Sequence, residues 1–207
     1  MFSTQQKRYI ILVLGALLIC VVLLFSGRTI RYFMNDEHRF FNQPAHYTNS
    51  KIIIYKKERE LELYADDKCI GIFKVALGSK PVGEKNKEGD NRTPEGEYFI
   101  CTRHDQRTNN GFFLGISYPN ISDAQRNLDA GAIDRQTFDQ IKAAIDKQKQ
   151  PPWDTPLGGA IGIHGGGNGI NWTAGCIALA NKDIDIVKDY APLRTPVIIY
   201  ASRKEAP

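Results

Sequence analysis

The chain has 207 residues, a length typical of one folded domain with an appendage. Its composition, 42% hydrophobic and 24% charged, is too apolar for a disordered protein tail. Residues 1–31 hold four basic and no acidic residues, so the rest of the chain has 23 of each and no net charge. We therefore expect no nucleic-acid partner, which would need a concentrated basic surface, and four cysteines are too few for a disulfide-built mini-domain.

The N-terminal region contains an uncharged apolar run of 19 residues, Tyr9–Gly27. As a helix this run spans roughly 28 Å, about the hydrocarbon thickness of a bilayer. Lys7 and Arg8 precede it, as in a secretory signal, but cleavage after Gly27 would put Phe25 where a small residue is required. We predict an uncleaved signal anchor over residues 1–27 that crosses the inner membrane through residues 9–27. A buried core helix is the alternative.

The following segment, residues 28–50, mixes charged, polar and aromatic residues without a period and is interpreted as a stalk. The next 151 residues, 51–201, form the predicted domain, and residues 202–207 form a tail. Alternating or β-branched stretches predict strands at residues 51–57, 60–64, 69–76, 97–103, 111–117, 160–164 and 196–200. A Gly- and Pro-rich loop occupies residues 78–96.

Helical spacing appears in two places, residues 122–150 and residues 181–190. In the first, Ser122 and Asp134 are predicted N-caps, and Pro151 and Pro152 end the segment. Strands outnumber helices. The pattern therefore predicts a mainly β domain, a sandwich or rolled sheet with a short helical insert.

The chemistry-bearing residues are concentrated between His164 and Cys176. A histidine leaves a predicted strand, a glycine-rich loop follows, and the cysteine precedes an apolar run. A histidine that accepts the thiol proton makes cysteine a nucleophile, and glycines let backbone N–H groups approach a developing oxyanion. From residue types alone, a buried cysteine and a hydrogen-bonded loop histidine are equally compatible with this pattern.

Other kinds of site fit the sequence less well. A zinc site is disfavoured because the remaining histidines lie far away in sequence and no C-x-x-C pair occurs. The glycine run after His164 is like the oxyanion loop of lipases, but the G-x-S-x-G elbow of those enzymes is absent from the sequence. We expect no metal and no cofactor.

Several segments together resemble the L,D-transpeptidase (YkuD-like) catalytic domain family. The active-site pattern of that family matches Thr173–Ile177 followed by Asn181–Asp183, its T-P-x-G-x-[FY] element matches Thr93–Tyr98, and a third element matches Gly115–Asn120. The resemblance covers about residues 51–201. The chain departs from the pattern at Ala174, where the family usually has a second histidine.

The resemblance implies a YkuD-like fold and a cysteine-dependent L,D-transpeptidase that acts on peptidoglycan stem peptides, in cell-wall biogenesis or remodelling, through an acyl-enzyme thioester. It implies Cys176 as nucleophile, His164 as base and the Gly165 carbonyl as the group that orients His164. An oxyanion would be held near Gly175, with the Thr173 side chain as a further donor. Because that substrate lies outside the cytoplasm, the domain is expected on the periplasmic side of the membrane.

Candidate substrate-binding residues are Tyr118, Asn120, Arg92 and Trp172. The alternatives for these residues are a core tyrosine, a turn asparagine, a solvated arginine and a packing tryptophan. Two other functions remain open: a murein L,D-endopeptidase or carboxypeptidase on the same fold, and an inactive peptidoglycan-binding module.

Overall fold

The strands of the domain are β1 (Arg39–Phe40), β2 (Ser50–Tyr55), β3 (Glu60–Ala65), β4 (Lys68–Lys74), β5 (Gly96–Thr108), β6 (Gly111–Ile116), β7 (Gly162–His164), β8 (Ile177–Ala178) and β9 (Pro196–Tyr200). They belong to a computed structural model that describes residues 39–40, 44, 46–108 and 111–207. All nine lie in one sheet, in the order β1-β4-β3-β2-β9-β5-β6-β7-β8.

The centre of the sheet is built from β2 and β9, which run parallel with Ile52 opposite Val197 and Ile54 opposite Ile199. All four side chains are almost completely buried, and both segments are apolar stretches rich in β-branched residues, as expected of central strands. On its other side β9 pairs antiparallel with β5. The last strand along the chain therefore occupies a central position and joins the two halves of the sheet.

The sheet curls so that its β8 end meets the segment that follows β4. Ala76 pairs with Ala178 of β8, and Gly78 pairs with Thr173, just upstream of β8. We call this meeting of residues 76–79 with residues 173–178 the seam. The prediction of a mainly β rolled sheet is confirmed, and the seam explains why residues distant in sequence come together beside Cys176.

Within the described residues, three α-helices accompany the sheet: α1 (Ile121–Asp129), α2 (Arg135–Asp146) and α3 (Asn181–Val187). Asp134 caps α2 as predicted, its side chain accepting the Thr137 N–H at 2.8 Å. The prediction of Ser122 as the cap of the preceding helix is wrong. Asn120 takes that role in a reciprocal capping box with Asp123, because its amide oxygen accepts the Asp123 N–H at 2.8 Å.

Part of the predicted stalk contacts the sheet. β1 pairs with β4, and the Tyr47 hydroxyl donates to the Asp189 carbonyl at 3.0 Å.

Residues 9–27, the predicted anchor, lie outside the described residues. Among the helices that the structure does describe, none is both long and apolar enough to cross a membrane.

Candidate active site

The site is built where β7 and β8 run parallel at the end of the curled sheet. Ile163 lies opposite Ile177 and His164 opposite Ala178, and both isoleucines are fully buried. Cys176 directly precedes Ile177, so this register places it beside Gly162, two residues from His164 along β7. The strand pairing thus brings the two residues that the sequence singled out to neighbouring positions.

His164 is held in one tautomer by the backbone. Its Nδ1 atom lies 2.5 Å from the Gly165 carbonyl oxygen. Because a carbonyl oxygen accepts and cannot donate, Nδ1 carries the proton and the lone pair on Nε2 is left to receive one. The predicted orienting role of the Gly165 carbonyl agrees with this geometry.

Aromatic rings enclose the His164 imidazole. The Phe113 ring stacks against it with the centroids 6.5 Å apart, and the Trp172 ring meets it edge-on at 5.6 Å. This burial lowers the pKa of His164 below its ordinary value, and the hydrogen bond with Gly165 opposes that shift in part. The imidazole is therefore neutral at neutral pH, which is the state a general base requires.

The Cys176 thiol is partly exposed and donates to the Ala160 carbonyl oxygen, with 3.6 Å between sulfur and oxygen. Burial raises its pKa, while the Gly162 N–H and the positive charge of Lys85 act in the opposite direction. Among the described residues, no hydrogen bond joins this thiol to His164. The thiol and the imidazole therefore lie at neighbouring strand positions without a direct hydrogen bond between them. Catalytic hydrogen bonds often tighten only when substrate binds.

The turn from Thr173 to Cys176 is braced by a side chain. The Thr173 hydroxyl donates to the Cys176 carbonyl at 2.7 Å and accepts the Gly175 N–H at 3.1 Å. Thr173 and the Gly175 N–H, which we expected to face an oxyanion, are thus bonded to each other. The Cys176 N–H has no hydrogen-bond partner among the described residues, and it is the backbone donor nearest to the thiol along the chain.

Close contact of backbones fixes the position of this turn. Gly175 has a φ of +145°, and a Cβ atom on it would lie 2.7 Å from the Arg92 carbonyl oxygen. Across the seam, the Thr173 carbonyl accepts the Ser79 N–H at 2.9 Å. Cys176 is therefore held from both sides by main chain.

Trp172 and Arg92 both lie near the site. Trp172 is 42% exposed, and its Nε1 donates to the Gly167 carbonyl at 3.1 Å, which places the ring over His164 at the surface. The Arg92 guanidinium donates to the Glu84 carbonyl at 3.2 Å, while the Arg92 main chain supports Gly175.

Tyr118 does not line an open groove, whereas Asn120 lines a surface pocket together with Glu97 and Arg126. Substrate binding by these two residues stays a prediction. Tyr118 is fully buried, and its hydroxyl donates to the Leu157 carbonyl at 3.2 Å. Asn120 uses its side chain to cap α1 and to donate to the Glu97 carbonyl at 3.1 Å. The capping-box spacing from Asn120 to Asp123 is the sequence signal that indicates this structural role.

Sequence reasoning missed the groups that surround the two central residues: Phe113 against His164, Ala160 against the thiol, and the buried Lys85. Phe113 lies opposite His164 in the β6–β7 pairing, which is not visible until the strand order is known. In the part of the chain that the structure describes, no three His, Cys, Asp or Glu side chains are grouped to hold a metal ion.

Comparison with known proteins adds a family assignment. Residues 49–199 match the family model described as the L,D-transpeptidase catalytic domain, YkuD. No curated protein is significantly similar to the chain.

Two solved structures share the fold at 20% sequence identity and a TM-score of 0.50. One is Bdellovibrio bacteriovorus Bd1075, where the match covers 81% of this chain and 53% of that one. The other is a mutant of the helical cell shape determining protein Pgp2 from Campylobacter jejuni, with coverages of 83% and 53%. The chain thus spans about half the length of these structures.

Gly175→Ala should destabilise the domain by about 2 kcal/mol, because the new Cβ atom meets the Arg92 carbonyl in a backbone conformation that side chains disfavour. Gly169→Ala is the matched control, since Gly169 lies in the same glycine-rich loop with no atom within 4 Å of a new Cβ. Its effect should stay within about 0.5 kcal/mol. Denaturant unfolding measures both variants, and equal stabilities would contradict the proposed backbone clamp.

The pKa of His164 should lie below 6.5, and Trp172→Ala should raise it towards that value, because removing the indole returns water to the imidazole. Titration of the His164 ring followed by NMR measures both midpoints. A wild-type midpoint above 6.5, or a downward shift in the Trp172 variant, would refute burial as the cause.

Proposed function

The chain belongs to the L,D-transpeptidase catalytic domain family, and from this premise we propose that it is a cysteine-dependent L,D-transpeptidase acting on peptidoglycan stem peptides. The observation that carries the proposal is the pairing of β7 with β8, which sets Cys176 beside a His164 whose Nδ1 is bound to the Gly165 carbonyl. A base of fixed tautomer next to a cysteine is the arrangement that thiol acyl transfer needs.

In the first half of the proposed reaction, His164 Nε2 takes the proton of the Cys176 thiol as the sulfur attacks the carbonyl carbon of the diamino acid before a terminal D-Ala. The oxygen of that carbonyl becomes an oxyanion beside the Cys176 N–H. The C–N bond then breaks, the imidazolium returns its proton to the leaving amine, and D-Ala departs. A thioester on Cys176 remains.

In the second half, an amine of an acceptor attacks the thioester. His164 accepts the amine proton, the C–S bond breaks, and the sulfur regains a proton from the imidazolium. The product is a new amide, and the enzyme returns to its starting state. Water in place of the amine would give the free acid, which is the product of a murein hydrolase.

Peptidoglycan as the substrate is supported by the family to which the chain belongs. The Campylobacter jejuni structure with the same fold is described as a helical cell shape determining protein. For this chain we accordingly propose a role in cell-wall biogenesis or remodelling, with an influence on cell shape.

The same proposal implies an extracytoplasmic domain tethered by residues 9–27, since peptidoglycan lies outside the inner membrane. We expect activity from a phosphatase reporter that works only in the periplasm when it is fused after Pro207. The full-length protein should also remain in the membrane fraction after high-salt washing. A released protein whose mature N-terminus lies near Arg28 would contradict the anchor.

To test the proposed function, the full chain is purified in detergent and incubated with tetrapeptide muropeptides. The products are then identified by their masses. Wild type should release D-Ala and form a cross-linked or amine-bearing product when an acceptor amine is present, and Cys176→Ala should do neither. His164→Ala should slow acylation about 10²–10⁴-fold, the usual contribution of a general base.

Ala174→His is the matched variant for the departure from the family pattern. Ala174 is exposed and His164 already supplies the base, so acylation should change by no more than about tenfold. Free acid as the product even with acceptor present would identify a hydrolase, and no acyl-enzyme under any condition would indicate an inactive module. A large gain from Ala174→His with little loss from His164→Ala would reverse the assignment of the base.

A further inference from the structure

A buried ion pair lies in the loop between β4 and β5. Lys85 Nζ is 2.8 Å from Asp90 Oδ1, and the two side chains are 3% and 10% exposed. Lys85 Nζ also donates to the Lys87 carbonyl at 3.0 Å and lies over the Tyr118 ring. A buried ammonium group is costly unless it is paired and hydrogen-bonded, as this one is.

Asp90 organises the loop around this cation. Its carboxylate accepts the backbone N–H groups of Asn86 at 2.8 Å, Lys87 at 3.2 Å and Arg92 at 3.1 Å. Burial alone would raise the pKa of Asp90, but Lys85 and these N–H groups outweigh it, and the pKa lies below its ordinary value. The carboxylate is thus ionised at neutral pH and keeps Lys85 in one place.

The same loop is clamped against the turn that carries Cys176. Arg92, whose N–H is bound to Asp90, presents its carbonyl to Gly175, and the Asn91 carbonyl lies so close to Gly78 that a Cβ there would collide with it. Burial raises the pKa of the Cys176 thiol, and the positive charge of Lys85 acts against that rise. Among the described residues, Lys85 is the charged side chain that acts on the thiol, and His164 is the titratable group at the neighbouring position on β7.

We propose that Lys85 is an electrostatic positioning residue for Cys176: Asp90 fixes the ammonium group inside the loop, and its charge stabilises the thiolate that forms when His164 takes the proton. This assignment rests on the proposed function of Cys176 as nucleophile. It gives a reason for burying the fully paired ammonium group of Lys85 beside a site whose proposed base, His164, is neutral.

The proposal is tested by alkylating Cys176 with iodoacetamide in the full chain over a range of pH. The extent of alkylation at each pH is measured by mass mapping of the Cys176 peptide. The primary variant is Lys85→Met combined with Asp90→Asn, which leaves neither charge buried alone. Its alkylation midpoint should rise by about one pH unit relative to wild type, at the low end of the effect of a nearby opposite charge. Cys101, whose pKa burial raises to about 12, serves as an internal unreactive thiol.

Asp90→Asn alone distinguishes the charge of Lys85 from a general loosening of the loop. It removes a negative charge and retains Lys85, so the midpoint should not rise, whereas general loosening of the loop would move it in the same direction as in the double variant. Cooperative thermal unfolding confirms that each variant is folded.

The matched control is the neighbouring buried pair of Lys56 and Glu95, whose side chains are 3% and 18% exposed and 2.7 Å apart. Lys56 Nζ donates to the Gly83 and Thr93 carbonyls, so it braces the same loop. Lys56→Met combined with Glu95→Gln should lower stability and leave the Cys176 midpoint in place. An unchanged midpoint in the Lys85/Asp90 variant, or an equal rise in this control, would overturn the proposal.

These measurements use no peptidoglycan. The shift between wild type and variant is therefore measurable even if the chain turns over no muropeptide. That outcome would refute the proposed function and still show the electrostatic effect of Lys85 on the thiol. Normal muropeptide turnover with no shift of the alkylation midpoint would support the proposed function and refute the role of Lys85.

Discussion

The candidate site depends on a close approach of three stretches of main chain. The turn Thr173–Cys176 passes between residues 77–79 and residues 91–92, and glycine is required at Gly78 and Gly175 because a Cβ atom at either would collide with a carbonyl. Main-chain contacts are stiffer than contacts between long side chains. Cys176 therefore sits in a frame of main-chain contacts, and such a frame suits the accurate positioning of reacting atoms.

Inside that frame, burial moves two pKa values in opposite directions. It lowers the pKa of His164 and raises the pKa of Cys176, and both changes favour neutral groups over a thiolate–imidazolium pair. In the proposed reaction, charge separation then takes place at the moment of attack, when a bound carbonyl completes the environment of the sulfur. A site with this resting state protects its thiol from adventitious electrophiles and oxidants, which react with the thiolate.

Much of the fold was predictable from the sequence, because β-branched runs mark β2 and β9, period-two alternation marks β3, and Asp134 carries a local capping signal. The two-residue β8 is too short to show a period, and its existence follows from pairing with β7. His164, Gly165 and Cys176 were identified as a group, and the structure brings them together. The partner of the Tyr118 hydroxyl, the Leu157 carbonyl, is visible only in three dimensions, whereas the capping role of Asn120 is indicated by its spacing from Asp123.

The central place of β9 bears on how the polypeptide acquires its shape during synthesis. Residues 196–200 lie between β2 and β5, so the two halves of the sheet lack their shared strand until the ribosome has made nearly the whole domain. Contacts of such long sequence separation make assembly slow and leave incomplete strand edges exposed in the meantime. A chain of this topology therefore keeps an incomplete sheet until residues 196–200 are available to pair with both β2 and β5.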